Sequence, residues 1–214
     1  MKVQVRERVI RKRKKPRFNK MKYILIISAL LFFIPLLYVE LSFNQRDKVY
    51  STELEEKLYY SMSKKDNRIK AFNRAVVLNN GKSVNTCVYF ISEVLRMNGG
   101  SISDNVCNTT QLLDIMKSEG WEKEKNYKKL KPGNICFTTD VRLTSLGAPT
   151  HTYIFMGWKE QGLYDYAYIC DNQGNEYNGK LYHLRNITKV ENINGNTKEP
   201  FSFFMYKLWG FIYE

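Results

Sequence analysis

HTYIFMGWKEQGLYDYAYICDNQG, residues 151–174, holds two runs of aromatic and β-branched residues around Lys159-Glu160-Gln161-Gly162-Leu163. Such runs on either side of a short Gly-containing loop predict an antiparallel hairpin with strands over 151–158 and 164–171. Loop length then decides what faces His151. A three-residue loop, Glu160–Gly162 with Gly162 left-handed, puts Asp171 directly opposite. A two-residue loop, Gln161-Gly162, puts Asn172 there, and a four-residue loop leaves Cys170. Directly opposed side chains have Cβ atoms about 4.5–5.5 Å apart. Asp171 or Asn172 could therefore accept a hydrogen bond from the imidazole and fix its tautomer.

Outward from this hairpin, residues 134–139, 180–187 and 201–213 are likewise aromatic and β-branched, with turn residues between them. Upstream the period changes. Tyr50, Leu54, Leu58 and Met62, then Ile69, Phe72 and Val76, predict a helix over 49–79 that stops at Asn79-Asn80-Gly81. A second helix is predicted over 86–97, ended by Asn98-Gly99-Gly100. A third is predicted over 109–119, with Asn108 as its cap and Gly120 as its stop. Helices first and strands after argue for an α+β domain with an antiparallel sheet.

The 214 residues carry a net charge of +13, unevenly spread. Residues 1–22 hold eleven of the 34 Lys/Arg and one of the 21 acids, Glu7. The rest is close to balanced, which argues against a nucleic-acid binder. The basic block directly precedes YILIISALLFFIPLLYV, residues 23–39, with no charge in 17 positions. That length is at the low end of what spans a bilayer, and Leu41 and Phe43 extend it. Lys/Arg beside an apolar run mark the cytoplasmic side. A cleaved signal peptide also begins this way, but Tyr38-Val39-Glu40-Leu41 offers no small-x-small site. The expectation is a basic cytoplasmic tail (1–22), a transmembrane anchor (23–43) in the lipid bilayer, a helical stalk or membrane-proximal helices (44–80) and an extracytoplasmic domain (81–214).

No G-x-G-x-x-G, G-x-x-x-x-G-K-[ST], H-E-x-x-H or G-x-S-x-G is present. Cys87, Cys107, Cys136 and Cys170 include no C-x-x-C pair, so neither a metal nor another cofactor is expected. Cys87 follows Asn85-Thr86, either of which could cap the second helix. A cysteine in a first helical turn meets free N–H groups and a dipole that favour a thiolate, the nucleophile of cysteine hydrolases. The competing reading is a small buried residue leading the stripe Phe90, Ile91, Val94. His151 and His183 are the two histidines, and either could serve as a polar strand residue without further role.

The ordered set of Asn85-Thr86-Cys87, Leu130-Lys131-Pro132-Gly133-Asn134-Ile135, His151-Thr152-Tyr153-Ile154 and Ile169-Cys170-Asp171-Asn172 resembles the papain-like cell-wall peptidases of the NlpC and CHAP type, over roughly residues 80–190. The resemblance implies a papain-like fold, with N-terminal helices packed on an antiparallel sheet. It implies Cys87 as nucleophile, His151 as base and Asp171 or Asn172 as the residue orienting the base. It also implies amide bonds of peptidoglycan, or another amide, as substrate. Two departures stand out. Thr86 occupies the position of the usual acidic residue before the nucleophile, and Asn134 replaces the commoner Asp after Pro-Gly. A catalytically silent binding module of the same fold and an acyl or amide transferase using the same Cys-His pair are the rival readings.

Overall fold

The computed structural model describes residues 31, 33–35, 53–140 and 147–207. The chain divides into two units, Met1–Asp47 and Lys48–Glu214. In the first unit Leu31 and Phe33–Pro35 are helical and exposed. The rest of the expected tail and anchor lies outside the described residues. Among the described residues no helix is long and apolar enough to cross a membrane.

The second unit is α+β. It begins with α1 (Glu53–Ser63), α2 (Lys65–Leu78), α3 (Cys87–Met97) and α4 (Thr109–Ser118). The strands follow: β1 (Trp121–Glu124), β2 (Ile135–Thr139), β3 (Pro149–Glu160), β4 (Leu163–Cys170), β5 (Tyr182–Asn186), β6 (Glu191–Ile193), β7 (Asn196–Lys198) and β8 (Phe201–Lys207). Six of them form an antiparallel sheet in the order β1-β8-β2-β3-β4-β5, while β6 and β7 pair only with each other.

The single helix expected over 49–79 is two. Lys64 takes an extended conformation between α1 and α2. Arg68 Nη1 donates to the carbonyls of Met62 and Ser63, at 2.6 and 2.9 Å, and Asn67 donates to the Ser61 carbonyl at 3.1 Å. These side chains satisfy the carbonyls that a continuous helix would have used, so the break carries little penalty. Nor do the two helices stand apart as a stalk. Leu58, Met62, Ala71 and Ala75 are fully buried in one core with Phe90, Ile91 and Val94 of α3 and Ile135, Phe137, Ile154 and Met205 of the sheet. Each large side chain buried there contributes roughly 1.5–3 kcal/mol.

A second cluster, including Cys136, Tyr153, Phe155, Ala167, Ile169 and Phe204, covers the sheet's other face. Burial on both faces explains why β2 opens with three apolar residues in a row, Ile135-Cys136-Phe137, rather than an alternation.

Pro132-Gly133-Asn134 fastens α1 to the sheet. Gly133 has φ +97°, and a Cβ there would lie 1.9 Å from the Glu55 carbonyl oxygen. Asn134 Nδ2 donates to the carboxylate of fully buried Glu55 at 2.8 Å, while Asn134 Oδ1 accepts from Lys131 N at 2.7 Å. An Asp would present an acceptor where this site needs a donor, which gives the Asn134 departure a physical cause.

Candidate active site

Cys87 is the first residue of α3, half-buried at the margin of the core and lining a cleft of about 800 Å3. The turn before it is tight, with Asn85 left-handed at φ +57°. Thr86 holds the N-cap position but makes no side-chain cap. Its hydroxyl instead donates to the Ser83 carbonyl and accepts from Asn172 Nδ2, both at 2.9 Å. Of the two residues expected at the cap, Asn85 and Thr86, it is Thr86 that holds the position, without the side-chain bond. The contrast with α4 is direct, because there Asn108 accepts from Gln111 N at 2.9 Å. The first turn of α3 thus keeps N–H groups without a side-chain acceptor beside the thiol, an arrangement that favours negative charge.

His151 sits near the start of β3, its Nε2 2.9 Å from Asp171 Oδ2. With Nε2–H donating to the carboxylate, Nδ1 is the nitrogen left to face Cys87, whose thiol is near enough to help raise the imidazole's pKa. Burial depresses the His151 pKa, but the Asp171 carboxylate and Cys87 outweigh it and hold the imidazole above its ordinary value.

The loop that joins β3 and β4 is Gln161-Gly162, since Glu160 pairs with Leu163. That is not the three-residue loop that favoured Asp171. The register then shifts twice, and Ile154 pairs with Cys170. Carried forward, this pairing puts Asp171 opposite Tyr153, diagonal to His151. Asp171 still meets His151 because both point to the same sheet face, where side chains two residues apart along a strand lie. Asn172 points to the opposite face and is spent on Thr86. Alternation, not direct opposition, separates the two residues.

Asp171 is fully buried and has more partners than the sequence suggests. Its Oδ1 accepts from Gln173 N at 2.9 Å, and His183 Nε2 lies 3.9 Å away. Burial pushes the carboxyl up, yet His183, His151 and the Gln173 N–H more than offset it and bring it down to about 2. His183 is itself buried and stacked on Tyr177 with centroids 3.5 Å apart, its Nδ1 3.1 Å from the Lys180 carbonyl. Burial holds its pKa below the ordinary value against the pull of Asp171. By sequence alone His183 is no more than a polar strand residue. The register Ile169↔His183 and Ala167↔Arg185 instead turns both side chains onto the Asp171 face.

The far side of the cleft is lined by Arg185 and by residues of the β6–β7 hairpin, including Lys198, which is ion-paired with Glu176. The sequence signal for that hairpin is Asn194-Gly195, both left-handed in the structure, a turn that suits a two-residue connection. All four cysteines are free; Cys136 and Cys170 are buried and Cys107 is exposed. Among the described residues no group of His, Cys, Asp and Glu side chains is arranged to hold a metal ion. No family of proteins, no characterised protein and no solved structure matches this chain.

Proposed function

We propose that this protein is a membrane-anchored, extracytoplasmic cysteine hydrolase of the papain-like kind that cleaves amide bonds, with the peptide part of peptidoglycan as substrate. The observation that supports the reading most is one imidazole held between a buried carboxylate and a half-buried thiol at a cleft. The wall substrate rests on the resemblance over residues 80–190, and the anchor on the apolar run over 23–39 after a basic block.

In this reading Cys87 gives its proton to His151 Nδ1 and attacks the amide carbonyl. The oxyanion accepts from N–H groups at the uncapped start of α3. His151 passes the proton to the leaving amine, forming the acyl enzyme. A water, deprotonated by the same Nδ1, then releases the acid and restores the thiol. Asp171 keeps Nε2 protonated and stabilises the imidazolium formed in each half.

Thiol labelling of intact cells with a membrane-impermeant alkylating reagent tests the reading, with exposed Cys107 as the internal reference. Cys87 and Cys107 are both expected to be labelled without lysis, Cys87 the faster. His151→Ala is expected to slow Cys87 by about 10²-fold or more and leave Cys107 unchanged. Cys87→Ala is expected to cut release of wall peptides by about 10⁴-fold or more. Labelling only after lysis would overturn the topology. Equal rates at Cys87 and Cys107, unaffected by His151→Ala, would make the protein a binding module. Fast labelling without release from any wall fragment would point to the acyl transferase.

A further inference from the structure

Arg185 lies on the same sheet face as Asp171 and His183, two residues beyond His183 along β5. It is only 2 % exposed, yet it lines the cleft that holds Cys87 and His151. Its Nη2 donates to the Glu199 carbonyl, and its guanidinium carbon stands 5.7 Å from the centre of the Tyr153 ring. Nε and Nη1 have no hydrogen-bond partner. Three N–H bonds of a permanent cation are therefore out of water and unanswered, although buried charges are normally paired and each orphaned donor is costly. Lys198, the second cation among the described lining residues, is 3 % exposed and already has Glu176. Among the described residues of this wall, Arg185 is thus the cation whose donors are unanswered.

Resting on the hydrolase reading above, we infer that the cleft takes an amide substrate carrying a free carboxylate, and that this carboxylate completes the Arg185 guanidinium on the side away from Glu199. A neutral ligand would leave the guanidinium as it is. An anionic one gains a charge-assisted hydrogen bond in a low-dielectric wall, where such bonds are strong. Arg185 is in this role a specificity residue. It has no part in the transfer of the Cys87 proton.

Binding, not turnover, separates this inference from the catalytic one. The full chain carrying Cys87→Ala, solubilised in detergent, is titrated calorimetrically with N-acetylalanine and with N-acetylalaninamide, which match in shape and differ by the one free carboxylate. The acid is expected to bind at least tenfold more tightly. Arg185→Gln is expected to abolish the difference, and Arg185→Lys, which keeps a cation but loses the planar fork, to retain only part of it. Equal binding of the two probes by the Arg185 protein overturns the inference without need of any Arg185 variant. It would mean that the Glu199 carboxylate, whose Oε2 is also buried without a partner, turns onto the guanidinium instead. A preference that survives Arg185→Gln in a protein with unchanged near-ultraviolet circular dichroism overturns it too. A preference for the acid in a protein that releases no wall peptide keeps the anion site and removes the hydrolase.

Discussion

Among the described residues two carboxylates are fully buried, Glu55 on α1 and Asp171 just past β4, and the partners they meet differ: an amide for one, imidazoles for the other. Glu55 meets the amide of Asn134, a donor that does not titrate, at a point where Gly133 lets two backbones touch. Asp171 meets the imidazoles of His151 and His183, both of which titrate, and one of them faces a thiol on a cleft. The bond from Asn134 to Glu55 holds parts together. The arrangement around Asp171 can store and pass a proton. Burial of a charged residue therefore says nothing about its role until the chemistry of its partners is known.

The comparison breaks most severely at Gly133. Gly133→Ala puts a methyl group against the Glu55 carbonyl and forces a left-handed alanine. A loss of about 3 kcal/mol or more is expected in urea unfolding. A loss under about 1 kcal/mol would show that α1 is not fastened here.

Asp171→Asn sharpens the other half. The folded-state carboxyl titrates at about 2 against an ordinary 3.8, so its ionised form stabilises the fold by roughly 2 kcal/mol. That contribution is present above about pH 4 and is lost as the pH falls through 2. The parent protein should therefore lose stability between about pH 4 and pH 2, and the variant should be less stable at neutral pH and flatter across that window. The opposite sign holds for His151, whose pKa is raised. Its contribution is complete below about pH 6.5 and disappears as the pH rises through the folded value. Without the carboxylate, the His151 titration followed by NMR should move down. If it does not move, Asp171 is not its partner in solution.

The smallest effect is expected from Asn134→Asp, which sets two carboxylates against each other at Glu55. About 1.5 kcal/mol should be lost at neutral pH, less than at Asp171, and the deficit should shrink toward pH 4 as one of the pair takes up a proton. A deficit that does not change with pH would place the cost in packing.

The sequence alone determined the parts governed by local physics. Apolar spacing of three and four set α3 and α4, where Cys87 leads one stripe and Asn108 caps the other helix. Aromatic and β-branched runs set β2 to β5 and the start of β8, because a pleated strand needs only its own alternation and a turn. The order of Cys87, His151 and Asp171 was legible for the same reason: each lies at the end of an element, and element ends are marked by capping and turn residues. Charged β1 and the short β6–β7 hairpin escaped, although Asn194-Gly195 was there to be read.

The tertiary structure decided everything that depends on register or on partners far along the chain. The two-residue loop and two register shifts between β3 and β4 put Asp171 opposite Tyr153 rather than His151, and no local rule counts such shifts. Asn172 was claimed by Thr86, 86 residues earlier, and Asn134 by Glu55, 79 residues earlier. The break at Lys64, the turning inward of His183 and the burial of Arg185 likewise follow from packing. A side chain's donors and acceptors are fixed by its chemistry, but which of them are answered is fixed only when the sheet closes over it.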